Sequence, residues 1–228
     1  MLLHLKNLLT QDEVRSARSL LGAQAPWLDG RSSAGELAVQ QKNNQQLAQD
    51  SDHARQLQAM VLAAIARDAL LFSAALPRKI FNPLFNCYSG ASNHYGVHID
   101  SAVMHSRNPQ QRVRSDISCT LFLSDPADYE GGELIIQEPD GDRRIKLPAG
   151  DLILYPGTTL HQVAPVTRGT RIASFFWIES MVRSGEQRRL LFDMDMALLQ
   201  LRRDRPEDPA TVKLTGTYHN LLRMWADT

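Results

Sequence analysis

Long apolar runs are missing from this 228-residue chain, and no stretch is long enough to span a bilayer. Net charge is missing too: 25 Lys and Arg balance 25 Asp and Glu. Without a global field, charge gives no support to nucleic acid or a membrane surface as a partner. Cysteine is scarce. Cys87 and Cys119 sit in the apolar stretches FNCYS and ISCTLFL, too far apart for a close-spaced thiolate metal site. The expectation is two buried, reduced thiols in a cytoplasmic protein. The opening MLLHLKNLLTQDEV lacks a basic lead, a continuous apolar stretch and a small-residue cleavage site, so it reads as mature protein.

What is present falls into three zones. Residues 1–76 read as a mainly helical region packing on the core. Thr10 and Glu13 have capping-box spacing, and Val14, Ala17, Leu20 and Leu21 follow at helical intervals. The stretch WLDGRSSAG breaks that pattern, and the polar, low-complexity QQKNNQQL follows it. A longer helix from about Ser51 carries Leu57, Met60, Val61, Ala64 and Ile65 on one face. Residues 77–180 change period. Short runs such as FNPLFNCYS, DISCTLFLS, ELIIQE, DLILYP and RIASFFWIE are separated by the turn signals EGGE, PDGD, PAGD and TRGT. Such runs without intervening helices predict an antiparallel sandwich or barrel. Residues 181–228 read as a helical extension, its first helix stopping near Pro206 and YHNLLRMWA forming a second.

In RIASFFWIE, alternation places Arg171, Ala173, Phe175 and Trp177 on one face and Ile172, Ser174, Phe176 and Ile178 on the other. Both faces are largely apolar, so the strand is covered on both sides, by an opposing sheet and by flanking helices. The predicted class is α+β with a mainly β core: a double-stranded β-helix, or jelly roll, buttressed by N-terminal and C-terminal helices.

Residues 93–100, NHYGVHID, hold His98 and Asp100 two positions apart. In extended backbone both side chains leave the same face and can meet one ion. A lone His-x-Asp is weak evidence; a third ligand from a later strand is needed, and His161 in GTTLHQVAPV has that setting. Two imidazoles and a carboxylate on one side of an ion form the facial triad that suits non-haem Fe(II), with open positions for a cosubstrate and O2. Arg171 follows His161 by ten residues. An arginine pointing into a jelly roll is costly unless it meets an anion, and a bidentate carboxylate fits it. The distal carboxylate of 2-oxoglutarate is the candidate; a structural salt bridge or an exposed strand start is the bland alternative.

Together, HID, GGEL, the later His and GTR ten residues on resemble the prolyl 4-hydroxylase type of Fe(II)/2-oxoglutarate dioxygenases. CYSGASNHYGVHID is similar to that family's tyrosine-rich approach to its His-x-Asp, and HQVAPVTRGTRIASFFW to its last ligand and arginine strand. WLDGRSSAG and KNNQQL narrow the resemblance to the bacterial PKHD-type hydroxylases, over nearly the whole chain. The resemblance implies His98, Asp100 and His161 as ligands of Fe(2+) and Arg171 as the 2-oxoglutarate anchor. It also implies Tyr88 on the same cosubstrate, although a strand tyrosine packed in the core explains that residue as well. It further implies L-ascorbate support, a link to iron uptake, and hydroxylation of a substrate with release of succinate and CO2.

Other residues read more plainly. His94 shares the face of His98 and is expected beside the site rather than on the ion. His105 lies in the polar loop SAVMHSRNPQQRVRS, long for a hairpin and a candidate substrate lid. Arg107, Arg112 and Arg114 read as a solvated charge run; His4, His53 and His219 as ordinary helix or surface residues; EGGE as a tight turn whose glycines supply positive φ. Two rivals stand: a cupin-like metalloenzyme without a keto acid, and a non-catalytic iron-responsive binding protein. The substrate is a small molecule or a peptide, and the terminal helices leave a homodimer open.

Overall fold

Glycine turns and β-branched runs build two facing antiparallel sheets in the computed structural model, which describes residues 1–33, 39–107, 110–205 and 207–228. In chain order the elements are β1 (Leu3–Leu5), α1 (Gln11–Leu20), β2 (Trp27–Asp29), β3 (Lys42–Asn43), β4 (Gln45–Leu47), α2 (Asp52–Arg67) and α3 (Ala69–Ala75). Then come β5 (Pro77–Ile80), β6 (Leu84–Tyr88), β7 (His94–His98), β8 (Val103–Arg107), β9 (Gln110–Arg114), β10 (Ile117–Phe122), β11 (Tyr129–Gly131) and β12 (Leu134–Glu138). The chain closes with β13 (Gly141–Ile145), β14 (Leu152–Pro156), β15 (His161–Val163), β16 (Val166–Gly169), β17 (Arg171–Ser180), α4 (Gly185–Asp204) and α5 (Pro209–Trp225).

The major sheet has the order β1-β14-β10-β17-β6-β4-β2, with β5 pairing the far end of β17. The minor sheet has the order β13-β12-β15-β7-β3. This is the jelly roll read from the sequence. The inner faces meet through Tyr88, Phe122, Ile153 and Tyr155 of the major sheet and Leu134, Ile136 and Val163 of the minor one. On the outer face of the major sheet, Phe85, Leu121, Phe176 and Ile178 pack under Val14 and Ala17 of α1 and Leu57, Val61 and Ala64 of α2. Each fully buried Phe, Leu, Ile or Val among them contributes about 1.5–3 kcal/mol. The double burial of β17 follows from its two apolar faces.

Local signals act as their chemistry dictates. Thr10 and Glu13 close the capping box of α1, and Glu13 also receives Arg67 from α2. Ser51 caps α2. Helix α4 ends at Asp204; Pro206, its expected stop, lies outside the described residues. Leu191 and Leu198 of α4 and Tyr218 of α5 pack on Leu76 and Val182, bracing the end of β17. Cys87 and Cys119 are buried free thiols. Among the described residues no single helix is long and apolar enough to cross a membrane.

The first zone is less helical than expected. It supplies β1 to β4, which join both sheets. QQKNNQQL becomes β3, at the edge of the minor sheet, and β4, between β6 and β2 of the major one; they are two and three residues long. The polar loop after Asp100 is a β-hairpin, β8 paired with β9. Its Asn108 and Pro109, like residues 34–38 beyond WLDGRSS, lie outside the described residues.

Candidate active site

Strands β7 and β15 are hydrogen-bonded neighbours, and their register sets His98 opposite His161. Asp100 stands just past the end of β7. One ligand atom from each of the three residues lies within 4.8 Å of the others. The Nδ1–H of His98 donates to the Gly96 carbonyl at 2.8 Å, and that of His161 to the Thr159 carbonyl at 3.0 Å. Both imidazoles therefore keep the Nε2 lone pair for an ion. Ser118 on β10 donates its hydroxyl to Asp100 Oδ2 at 2.6 Å, and His161 Nε2 lies 3.8 Å from the same oxygen. Burial, then the neighbouring His161, pushes the His98 imidazole down to about 4, so it is neutral and ready to ligate at neutral pH.

Aromatic rings fix these ligands. Tyr95 stacks on His98 with centroids 3.6 Å apart and planes 14° apart, and Tyr155 meets His161 edge-on at 5.1 Å. Lys42 of β3 holds its ammonium 5.4 Å from the Tyr95 centroid. Burial lowers that amine to about 8, against the pull of Asp100 and Asp29.

Further into the cleft, Arg171 opens β17 opposite Tyr88 of β6. It is 1 % exposed. Its guanidinium carbon lies 5.2 Å from the Tyr88 ring and 5.3 Å from the Phe122 ring. None of its three nitrogens has a hydrogen bond of good geometry among the described residues; the Tyr129 phenol beside it is near enough to feel its charge. Gly132, at φ +69°, makes the room: a Cβ there would lie 3.1 Å from Arg171 Cδ and 2.9 Å from the Tyr129 ring. The EGGE turn thus has a second use that its sequence did not disclose.

These groups line one cleft of about 1470 Å³. All five nominated residues, His98, Asp100, His161, Arg171 and Tyr88, face it. His94 does not join the ligand cluster; its Nδ1 meets the Asn93 side chain at 3.0 Å. His105, on β8, lines the cleft. His4 is tied instead to Asp151 at 2.7 Å. Ser118, Tyr95 and Lys42 were not foreseen. Only the strand alternation of DISCTLFLS pointed toward Ser118, and nothing in the polar KNNQ marked Lys42.

Residues 83–179 match the model of the 2OG-Fe(II) oxygenase superfamily, and residues 186–227 that of the PKHD-type hydroxylase C-terminal domain. Over the full length of both chains, identity is 61 % to a PKHD-type hydroxylase of Polaromonas sp. and 59 % to one of Verminephrobacter eiseniae. A solved prolyl hydroxylase of Trichoplax adhaerens, in complex with a hypoxia inducible factor oxygen degradation domain peptide fragment, aligns with a TM-score of 0.57 and 17 % identity. That alignment covers 83 % of this chain and 86 % of that one, and it bears on fold alone.

Proposed function

Because the chain belongs to the PKHD-type hydroxylases, Fe(II)- and 2-oxoglutarate-dependent dioxygenases, we propose that His98, Asp100 and His161 hold its ferrous ion. Arg171, with Tyr88, anchors the cosubstrate. The donor set fits: two imidazoles, each with Nδ1 held by a backbone carbonyl, and one carboxylate lie together in the cleft. The guanidinium fits as well. A buried cation without a hydrogen-bond partner among the described residues, in the same cleft as the triad, calls for a bidentate anion. That pairing of an orphaned Arg171 with a three-ligand cluster is the observation that carries the reading.

When bound, the iron and keto acid supply the oxidising power: O2 is consumed, 2-oxoglutarate leaves as succinate and CO2, and a substrate C–H becomes C–OH. The chain's residues set the geometry. Gly96 and Thr159 orient the imidazoles, Ser118 holds the Asp100 carboxylate, and Tyr95 keeps the His98 ring from turning. Arg171 fixes the far end of the keto acid, and the Phe122 and Tyr88 rings keep water from its guanidinium.

The proposal carries with it a peptide or small-molecule substrate, ascorbate as a supporting reductant, a link to iron uptake and a cytoplasmic setting. It takes residues 77–180 as the oxygenase unit, 1–76 and 181–228 as its buttresses, and the terminal helices as the face for a homodimer. A cupin-like enzyme would have no use for Arg171. The test is anaerobic titration with Fe(II) and 2-oxoglutarate. A metal-to-ligand charge-transfer band is expected, followed by succinate once O2 is admitted. Iron binding with neither band nor succinate would leave only a binding protein.

A further inference from the structure

Two residues before Tyr88 on β6 stands Asn86, opposite Ala173 of β17, just as Tyr88 stands opposite Arg171. Alternation sends Asn86 and Tyr88 to the same face of the strand, and both line the cleft. Asn86 is 7 % exposed. A carboxamide in such a place costs stability unless it is bonded. Its Nδ2–H donates to the Tyr88 hydroxyl at 3.3 Å, in the buried interior. The buried Asn44 bonds the same phenol. Two carboxamides therefore meet one hydroxyl, whose ring lies 5.2 Å from the Arg171 guanidinium carbon.

A phenol has one hydrogen to give and an oxygen that also accepts. Burial raises the Tyr88 phenol above its ordinary value, against the opposing pull of Arg171 and of the Asn44 hydrogen bond, so the hydrogen stays on at neutral pH. A carboxamide can meet that phenol from either end: its oxygen takes the hydrogen, or its nitrogen gives one. A carboxylate on Arg171 decides between them. Charge-assisted hydrogen bonds are about twice as strong as neutral ones, so the phenol turns its hydrogen to the carboxylate. The phenol oxygen is then open to N–H donors, and Nδ2 of Asn86 already points there.

We propose that Asn86 is a positioning residue for the cosubstrate: by donating to Tyr88 Oη, it turns the phenol hydrogen toward the far carboxylate of 2-oxoglutarate. The hydrogens of this row all point one way, from Asn86 to Tyr88 to the anion, beside the direct contact of Arg171. The inference rests on the metal and keto acid assignment above.

The test uses full-length enzyme with Fe(II) in the absence of oxygen, titrated with 2-oxoglutarate and read by the charge-transfer band. Tyr88→Phe should weaken binding about 10-fold or more, the loss of one charge-assisted hydrogen bond. Asn86→Leu should weaken it about 3–10-fold, the scale of a neutral one, and Asn86→Ala repeats the reading with a smaller side chain. Asn86→Asp, which when ionised can only accept, should weaken it more than Asn86→Leu, because it takes the Tyr88 hydrogen for itself. In a Tyr88→Phe background Asn86→Leu should add nothing, since the double-mutant cycle isolates what passes through the phenol. With O2 admitted, the KM for 2-oxoglutarate of Asn86→Leu should rise with little change in kcat for uncoupled succinate formation. Melting temperatures report the fold. Unchanged affinity in both Asn86→Leu and Asn86→Ala overturns the inference, as does Asn86→Asp binding as tightly as wild type. So do losses that add in full in the double variant, or a loss confined to kcat: Asn86 would then be a packing residue. A missing charge-transfer band in the wild-type enzyme overturns the metal and keto acid reading instead.

Discussion

Replacing Arg171 with methionine should raise the melting temperature of the ligand-free enzyme and abolish its response to 2-oxoglutarate. Met keeps an unbranched stem beside Gly132 and removes a guanidinium with no hydrogen-bond partner among the described residues. A charge left buried without its partner costs about 3–5 kcal/mol, and the substitution removes that cost. Against this, the lost contacts to the Tyr88 and Phe122 rings cost about 0.5–2 kcal/mol each. A net gain of about 1 kcal/mol raises Tm by roughly 2–4 °C in a chain of this size. Ligand reverses the order. At a 2-oxoglutarate concentration of about 100 Kd the wild-type enzyme gains about 2.7 kcal/mol. The variant loses two charge-assisted hydrogen bonds of about 1.5–3 kcal/mol each, weakening Kd by about 10²–10⁴-fold. Thermal melts with Fe(II), with and without 2-oxoglutarate and in the absence of oxygen, read both signs at once. A variant that melts below wild type when ligand-free, yet is still stabilised by 2-oxoglutarate, would refute the reasoning: Arg171 would then be a structural residue.

Three more outcomes follow from the site. Ser118→Ala frees the Asp100 carboxylate and should lower Fe(II) affinity about 10–100-fold with little change in Tm, measured by competition with a chelator. Gly132→Ala places a Cβ at positive φ against Arg171 and Tyr129, and should cost about 1–3 kcal/mol and weaken 2-oxoglutarate binding in isothermal titration. The metal-free enzyme should lose stability as pH falls from about 6.5 toward 4. There unfolded His98 takes up a proton that the folded chain refuses until about 4, a slope of up to about 1.4 kcal/mol per pH unit. Chemical denaturation across that window should show a shallower slope in His98→Gln.

The closeness of His98 and Asp100 was legible because i, i+2 spacing in extended backbone puts two side chains on one face whatever the rest of the fold does. Arg171 was legible because an ionised group shared a strand face with Ala173 and Phe175. Strands β3 and β4 were not. At two and three residues they are too short for alternation to register, and their polar side chains are buried by what surrounds them rather than by intrinsic preference. The hairpin after Asp100 hid for a similar reason: Val113 is fully buried against Phe81 and Trp177, but arginines surround it in sequence. Gly132 looked like a turn residue because its other task, leaving room for Arg171, depends on a strand that comes much later in the chain.

On the proposed ligand set, the register that puts His161 opposite His98 also sets when an ion can be bound. The two imidazoles become neighbours only when β15 zips onto β7, a contact between remote parts of the chain that forms slowly for lack of local help. A chain synthesised only as far as Asp100 carries two of the three proposed ligands and lacks the third. On that ligand set the finished protein, not the folding chain, is the form that takes up the ion.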